Sequence, residues 1–182
     1  MHLETDRLQL RPYEMENLTV YHALMSDPDV LRYSSKEPCE TLAQSEQRLM
    51  EIVRSGNDPV GFHALLEKES GRYIGEAGIL SITPRANRCV IGYNLLPAFW
   101  GRGYATEIAG ALVDYAFDVL KLERVEALTQ EANLASRRVL EKTGFVLEGT
   151  LRRFAYIAGT YRDVCTYGMI RSDRQISKGA DA

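Results

Sequence analysis

The stretch FWGRGYATE, residues 99–107, sets Gly101 and Gly103 on either side of Arg102 at the front of an apolar-periodic run. A helix that starts there leaves its first backbone N–H groups without intrahelical partners and presents the positive end of its dipole. Glycine lets the backbone approach a ligand closely, so the chemistry of such a loop is anion binding, above all phosphate. The cradle would be the backbone donors of Gly101, Arg102, Gly103, Tyr104, Ala105 and Thr106. A P-loop is excluded, because no Gly-Lys followed by Ser or Thr stands at the required spacing. A dinucleotide fingerprint would need its third glycine at position 106, which is Thr, and PAFW separates the preceding strand from Gly101.

A second constellation is EANLASRRVLEKTGF, residues 131–145. Asn133, Ser136, Arg137 and Leu140 are spaced zero, three, four and seven, so they share a helix face. Asn133 is a favoured N-cap, a role compatible with a ligand contact. Glu76, in GEAGI, reads either as a solvated strand glutamate or as a carboxylate able to take a proton. Tyr93 reads as a core tyrosine or a pocket wall, with Ile91 and Leu95 beside it as packing residues at period two.

These residues need elements to hold them. RLQLR at 7–11 alternates as a strand does, and residues 17–26 read as a short helix stopped by DPD at 27–29. Thr41 and Gln44 form a capping box ahead of LAQSEQRLMEIVRS, with Gly56 past its end. VGFHALLEK, RYIGEAGIL and RCVIGYNL, separated by ESG and TPRAN, predict three hairpin-linked strands. The glycine loop opens a helix with Ile108, Ala109, Leu112, Ala116, Val119 and Leu120 on one face. ERVEALT predicts a strand, residues 133–143 a helix ending at Gly144, and FVLEGTLRRFAY with TYRDVCTYGMI two last strands. The sum is a single α/β (α+β) domain over 1–170, mostly antiparallel at first with a strand-helix-strand crossover later, and a loose polar tail over 171–182.

Composition narrows the function. With 182 residues, 45% hydrophobic and 26% charged, the chain reads as one globular domain, and its net charge of -3 gives no footprint for nucleic acid or an anionic membrane. No window approaches about 18 apolar residues, so a cytoplasmic protein is expected. Cys39, Cys89 and Cys165 are odd in number and far apart, and His2, His22 and His63 are scattered, which predicts reduced thiols and no metal site.

IGYNLLPAFWGRGYATE followed by ERVEALTQEANLASRRVLEKTGFVLEG resembles the core of the GNAT superfamily of N-acetyltransferases, and within it the group that includes the Rim-type acetyltransferases of ribosomal-protein N-termini. The resemblance runs from about Leu3, through TDRLQLRP, to about Ile170. Gly103 and Ala105 match the superfamily's loop, whereas Trp100 stands where Gln or Arg is usual, as in the Rim-type group. The resemblance implies a mixed central sheet of six to seven strands with about four helices. It implies a cleft for acetyl-CoA between two splayed parallel strands, here CVIGYNL and RVEALTQ. Backbone at Asn94, Leu95 and Leu96 would face the thioester, Asn133 would contact the pantetheine arm and Ser136 would lie beside the sulfur. Glu76 would serve as base, often through water, with Tyr93, Tyr161 and Asp163 as further acceptor-site candidates.

The implied acceptor is the α-amine of a peptide or ribosomal protein. Alternatives are a small amine, such as a polyamine, amino sugar or drug, or a CoA-binding module without turnover. An α-amine with pKa near 8 is easier to deprotonate than a lysine near 10.4 by about 3 kcal/mol, which favours N-termini. The oligomeric state stays open, with a homodimer among the options.

Overall fold

The computed structural model describes residues 1–56, 59–157 and 159–174. Its strands are β1 (Leu3–Glu4), β2 (Leu8–Arg11), β3 (Gly61–Glu67), β4 (Tyr73–Thr83), β5 (Arg88–Leu95), β6 (Arg124–Gln130), β7 (Val146–Ile157) and β8 (Thr160–Ile170). They form one sheet in the order β1-β2-β3-β4-β5-β6-β8-β7, with every adjacent pair antiparallel except β5 and β6. The strand beyond the six or seven expected is β1, whose two residues are too short to show a period.

The helices are α1 (Leu18–Ser26), α2 (Pro28–Leu31), α3 (Leu42–Ser55), α4 (Tyr104–Asp114) and α5 (Leu134–Thr143). The DPD turn stops α1 as predicted but also starts α2. The Asp27 carboxylate accepts from the Asp29 and Val30 amides, and Pro28 takes the first helical position, where its missing N–H costs nothing. Thr41 and Gln44 close the predicted capping box on α3, and Gly56 ends it at φ 66°.

Two cores follow from strand alternation. Leu8, Leu65, Ile74, Ile79, Ile91, Leu95 and Val125 point to one face and pack with Ile108 and Leu112 of α4 and Leu140 of α5. Ala64, Leu66 and Tyr73 point to the other and pack with Tyr21, Leu24 and Met25 of α1 and Leu49 of α3. The apolar face predicted after the glycine loop is buried through Ala116, but Val119 is 60% exposed and Phe117 is buried in its place. Residues Tyr115–Val119 form a π-helical turn, whose wider pitch moves the phase of the face.

The feature that makes a site is a fork. β5 and β6 pair only at Arg88–Arg124, Cys89–Val125 and Val90–Glu126. Beyond these, β5 stays with β4 as far as the Gly75–Leu95 pair, and β6 stays with β8 as far as Gln130–Val164. The β4 register shifts between Ile79 and Ser81, opposite Ile91 and Val90, so a bulge bends β4 where β5 leaves β6. Two glycines keep β4 close to its neighbours: a Cβ on Gly75 would lie 2.1 Å from the Asn94 carbonyl oxygen, and one on Gly78 would lie 2.0 Å from that of Gly61.

The tail expected to be loose from Arg171 begins docked. Residues 171–174 are helical, Arg171 donates to the carbonyls of Phe117 and Leu122 at 2.7 and 2.6 Å, and Arg174 grips Asp114 with two bonds of 2.9 Å. Positions 175–182 lie outside the described residues. Among the described residues no helix is long and apolar enough to cross a membrane, and no His, Cys, Asp and Glu cluster could hold a metal. Cys39, Cys89 and Cys165 are buried free thiols.

Candidate active site

At the fork lies a cleft of about 440 Å³. On one side Gly101 and Gly103 sit at φ 73° and 81°, and the first intrahelical bond of α4 runs from Glu107 N to Gly103 O at 3.0 Å. No side chain caps this helix start, so the amides of Tyr104, Ala105 and Thr106 have no partner within the helix. Gly101, Gly103, Tyr104, Ala105 and Thr106 line the cleft together with Arg138 and Lys142 of α5, cations that suit a phosphate ligand. The cradle fits a pyrophosphate by its donors and its charge. Arg102 does not line the cleft: its guanidinium lies over the Phe99 ring and its carbonyl accepts from Arg7.

The loop is braced from behind by residues that spacing did not flag. Arg7 binds Glu107 at 2.6 Å and stacks on the Tyr104 ring at 4.7 Å, and Thr5 also donates to Glu107. The Tyr104 hydroxyl donates to Glu67. Hydrogen bonds from Ser70, Tyr104 and Arg72 lower the Glu67 pKa to about 2. A depressed carboxyl stabilises the fold above its unfolded pKa of about 4.3, and that contribution is lost as pH falls toward 2. Glu67→Gln is therefore expected to melt below the parent protein at pH 7, with the gap closing between about pH 4.5 and pH 2. A gap independent of pH would remove this brace.

Trp100, in the place of the usual Gln or Arg, donates its indole N–H to the Leu95 carbonyl at 2.7 Å and ties the loop to the end of β5. The Leu96 amide donates to Ile74 O at 2.9 Å, which commits it to β4. Antiparallel alternation then turns the amides of even-numbered β5 residues toward β4 and those of Tyr93 and Leu95 toward the gap that β6 has left. Of the predicted trio Asn94, Leu95 and Leu96, it is Leu95 whose N–H faces the fork.

The same alternation places side chains. Tyr93 shares a face with Ile91 and Leu95, toward α5, where its hydroxyl lies 3.1 Å from Ser136 Oγ and donates to the Ser136 carbonyl at 3.4 Å. Expected at the acceptor, it instead accompanies the serine expected at the sulfur. Burial pushes its pKa up to about 12, so the phenol keeps its proton. Asn133 caps α5, its carboxamide accepting from the Ser136 amide at 3.1 Å, and both residues line the cleft. Arg137 turns away to Tyr167 and Leu140 is buried, so the predicted face divides between cleft and core.

Asn94 and Glu76 point to the opposite face. Glu76 is fully buried rather than solvated. One carboxylate oxygen accepts from Lys36 Nζ at 2.6 Å and from the Asn94 amide at 2.8 Å, and the other accepts from Tyr13 at 3.1 Å. Lys36, which the sequence did not single out, also sits 3.9 Å above the Phe62 ring. Asp29, Arg32 and Tyr33, in and after α2, close the cleft on this side.

Tyr161 and Asp163 do not line the cleft. Tyr161 is 53% exposed, with its ring 5.0 Å from that of Tyr156 and under Arg153. Asp163 accepts from the Arg153 amide at 2.7 Å, which supports the left-handed backbone of Arg153 (φ 52°) in the irregular part of β7. Both serve the β7–β8 hairpin.

The GNAT acetyltransferase domain matches residues 7–146, and the chain belongs to this family of acetyl-CoA-dependent N-acetyltransferases. It is 32% identical over 170 residues to an uncharacterized N-acetyltransferase of Bacillus subtilis, YoaA, covering 93% of this chain and 96% of that one. Two solved structures share the fold. The ribosomal-protein-S5-alanine acetyltransferase of Vibrio fischeri superposes with a TM-score of 0.80 at 22% identity, over 95% of this chain and 98% of its own. The spermidine N-acetyltransferase of Vibrio cholerae, in complex with CoA and spermine, superposes at 0.81 and 22%, over 94% and 99%. At that identity both likenesses speak to the fold alone, and they do not separate a protein acceptor from a polyamine.

Proposed function

We propose that this N-acetyltransferase acts on the α-amine of a peptide or protein N-terminus, a ribosomal protein being the class indicated by the Rim-type resemblance. The observation that supports this reading is the charge balance of the acceptor face. Its buried carboxylate, Glu76, is matched by Lys36, and the α2 segment brings Asp29 and Arg32 to the cleft together. A polyamine carries several ammonium groups and needs several uncompensated acids; an N-terminus carries one and is already about one-tenth neutral at pH 7.

On this reading the α-amine attacks the thioester carbonyl at the fork. The Leu95 N–H donates to the developing oxyanion, a type of contribution worth about 3 kcal/mol in other enzymes. Ser136, hydrogen-bonded to Tyr93, donates to the sulfur as the C–S bond breaks, and a thiol pKa near 8.5 makes the thiolate a fair leaving group. Glu76 holds Lys36 and Asn94 in place rather than taking the amine proton, since its oxygens already accept three bonds. The amine proton passes to water, which suffices for a group this weakly basic.

The test is thiol release from acetyl-CoA with an N-terminal peptide panel beside a polyamine and aminoglycoside panel. Release with the peptides alone is expected. Release with the small amines alone would keep the fold and cosubstrate and overturn the acceptor, in favour of the activity named for the Vibrio cholerae protein.

A further inference from the structure

The cleft at the fork has two walls. One, made by α4 and α5, carries the glycine loop, Ser136 and two cations, Arg138 and Lys142; the other is the segment in and after α2, with Asp29, Val30, Arg32 and Tyr33. This second wall belongs to the layer of Glu76, since Val30 packs with the core of α1 and α3, and Lys36, four residues beyond Arg32, reaches Glu76 at 2.6 Å. Among the described residues Arg32 is exposed and has no hydrogen-bond or ion-pair partner, although Asp29 stands three positions before it.

Charge divides along the same walls. Arg32, Arg138 and Lys142 against Asp29 make the cleft positive, in a chain whose net charge is -3. The phosphates of acetyl-CoA would take up the loop amides, Arg138 and Lys142 on the α4–α5 wall. On the acceptor wall Lys36 is answered by Glu76. Arg32 keeps its charge unanswered there, facing a cleft in which an ion pair is screened less than on open surface.

We infer that Arg32 pairs with a carboxylate carried by the first residues of the acceptor, so that the enzyme favours N-termini that open with an acidic side chain. This rests on the α-amine reading and narrows it. The guanidinium offers parallel N–H donors that match a carboxylate, while Asp29 beside it meets the α-ammonium as it arrives. A polyamine or a basic N-terminus would set further positive charge against Arg32.

The experiment measures thiol release from acetyl-CoA with peptide amides that differ only in carrying Glu, Gln or Arg at the second residue, and with a matching series varied at the first. In one of the two series the parent chain is expected to show a kcat/KM roughly tenfold higher for Glu than for Gln, through KM, as one charge-assisted pair would give, with Arg lower still. Arg32→Gln should abolish that preference at an unchanged KM for acetyl-CoA, and Arg32→Glu should invert it in favour of Arg. Arg32 gives up no hydrogen bond in either variant, so both should fold as the parent does. Equal kcat/KM for Glu and Gln in both series, a preference that survives Arg32→Gln, or a raised acetyl-CoA KM in that variant, which would make Arg32 a phosphate contact, would each overturn the inference and leave the α-amine reading standing. Failure of the parent chain on every peptide would overturn that reading, and this inference with it.

Discussion

Lys36→Ala is expected to lose about 3 kcal/mol of folding stability, and adding Glu76→Gln to the same chain is expected to recover much of it. Glu76 has no solvent exposure, whereas the Lys36 side chain is 32% exposed. Removing the lysine strands a buried carboxylate, the costly way to break such a pair, at about 3–5 kcal/mol. Exchanging the carboxylate for an amide removes the stranded charge while keeping an oxygen for Asn94. The two substitutions should therefore be strongly non-additive in urea unfolding, with a coupling above about 1 kcal/mol. Losses that add within about 0.5 kcal/mol would mean that the ion pair does not hold this face of the sheet together. Glu76→Gln alone separates two roles for Glu76: a base would lose turnover steeply with it, whereas a positioning group keeps most of the rate.

What was legible in the sequence was local. The capping box of Thr41 and Gln44, the Asn133 cap and the left-handed glycines each depend on residues within four positions, and each stands where the pattern put it. The fork was legible through the family resemblance, because a strand of continuous apolar character does not announce where its neighbour leaves. Long-range pairs left no mark: Arg7 meets Glu107 across 100 positions, and Lys36 meets Glu76 across 40. Tyr161 and Asp163 drew attention by residue type, and their partners, Tyr156 and the Arg153 amide, emerge only when β7 folds back on β8.

Tyr93 is the instructive case, because its signal was present. If Ile91 and Leu95 pack in the core at period two, Tyr93 between them shares their face, and Asn94 takes the other. That parity puts Tyr93 with the α4 and α5 layer and Glu76, paired to Asn94 in β4, with the α1–α3 layer.

Ser136→Ala is expected to lower turnover about 100-fold with nearly unchanged KM for acetyl-CoA. The hydroxyl is not needed to build the helix start, since Asn133 caps α5 through the Ser136 backbone amide. The loop proposed to hold the pyrophosphate belongs to a different element, the start of α4, and the donors it offers are backbone amides with no side-chain cap. On the proposed mechanism the substitution removes a donor to the sulfur at the moment negative charge develops there, and a loss confined to the transition state lowers kcat and kcat/KM alike. Tyr93→Phe should lose less, because the serine can still donate directly. The double variant should fall little below Ser136→Ala alone, as expected of two hydroxyls acting as a unit. With its pKa near 12, Tyr93 stays protonated through pH 10, so its contribution should not titrate away in the alkaline limb. Steady-state thiol release across pH 6–10 measures all three variants. Unchanged turnover would remove Ser136 from the chemistry, and a raised acetyl-CoA KM at constant kcat would make it a contact of the bound pantetheine instead.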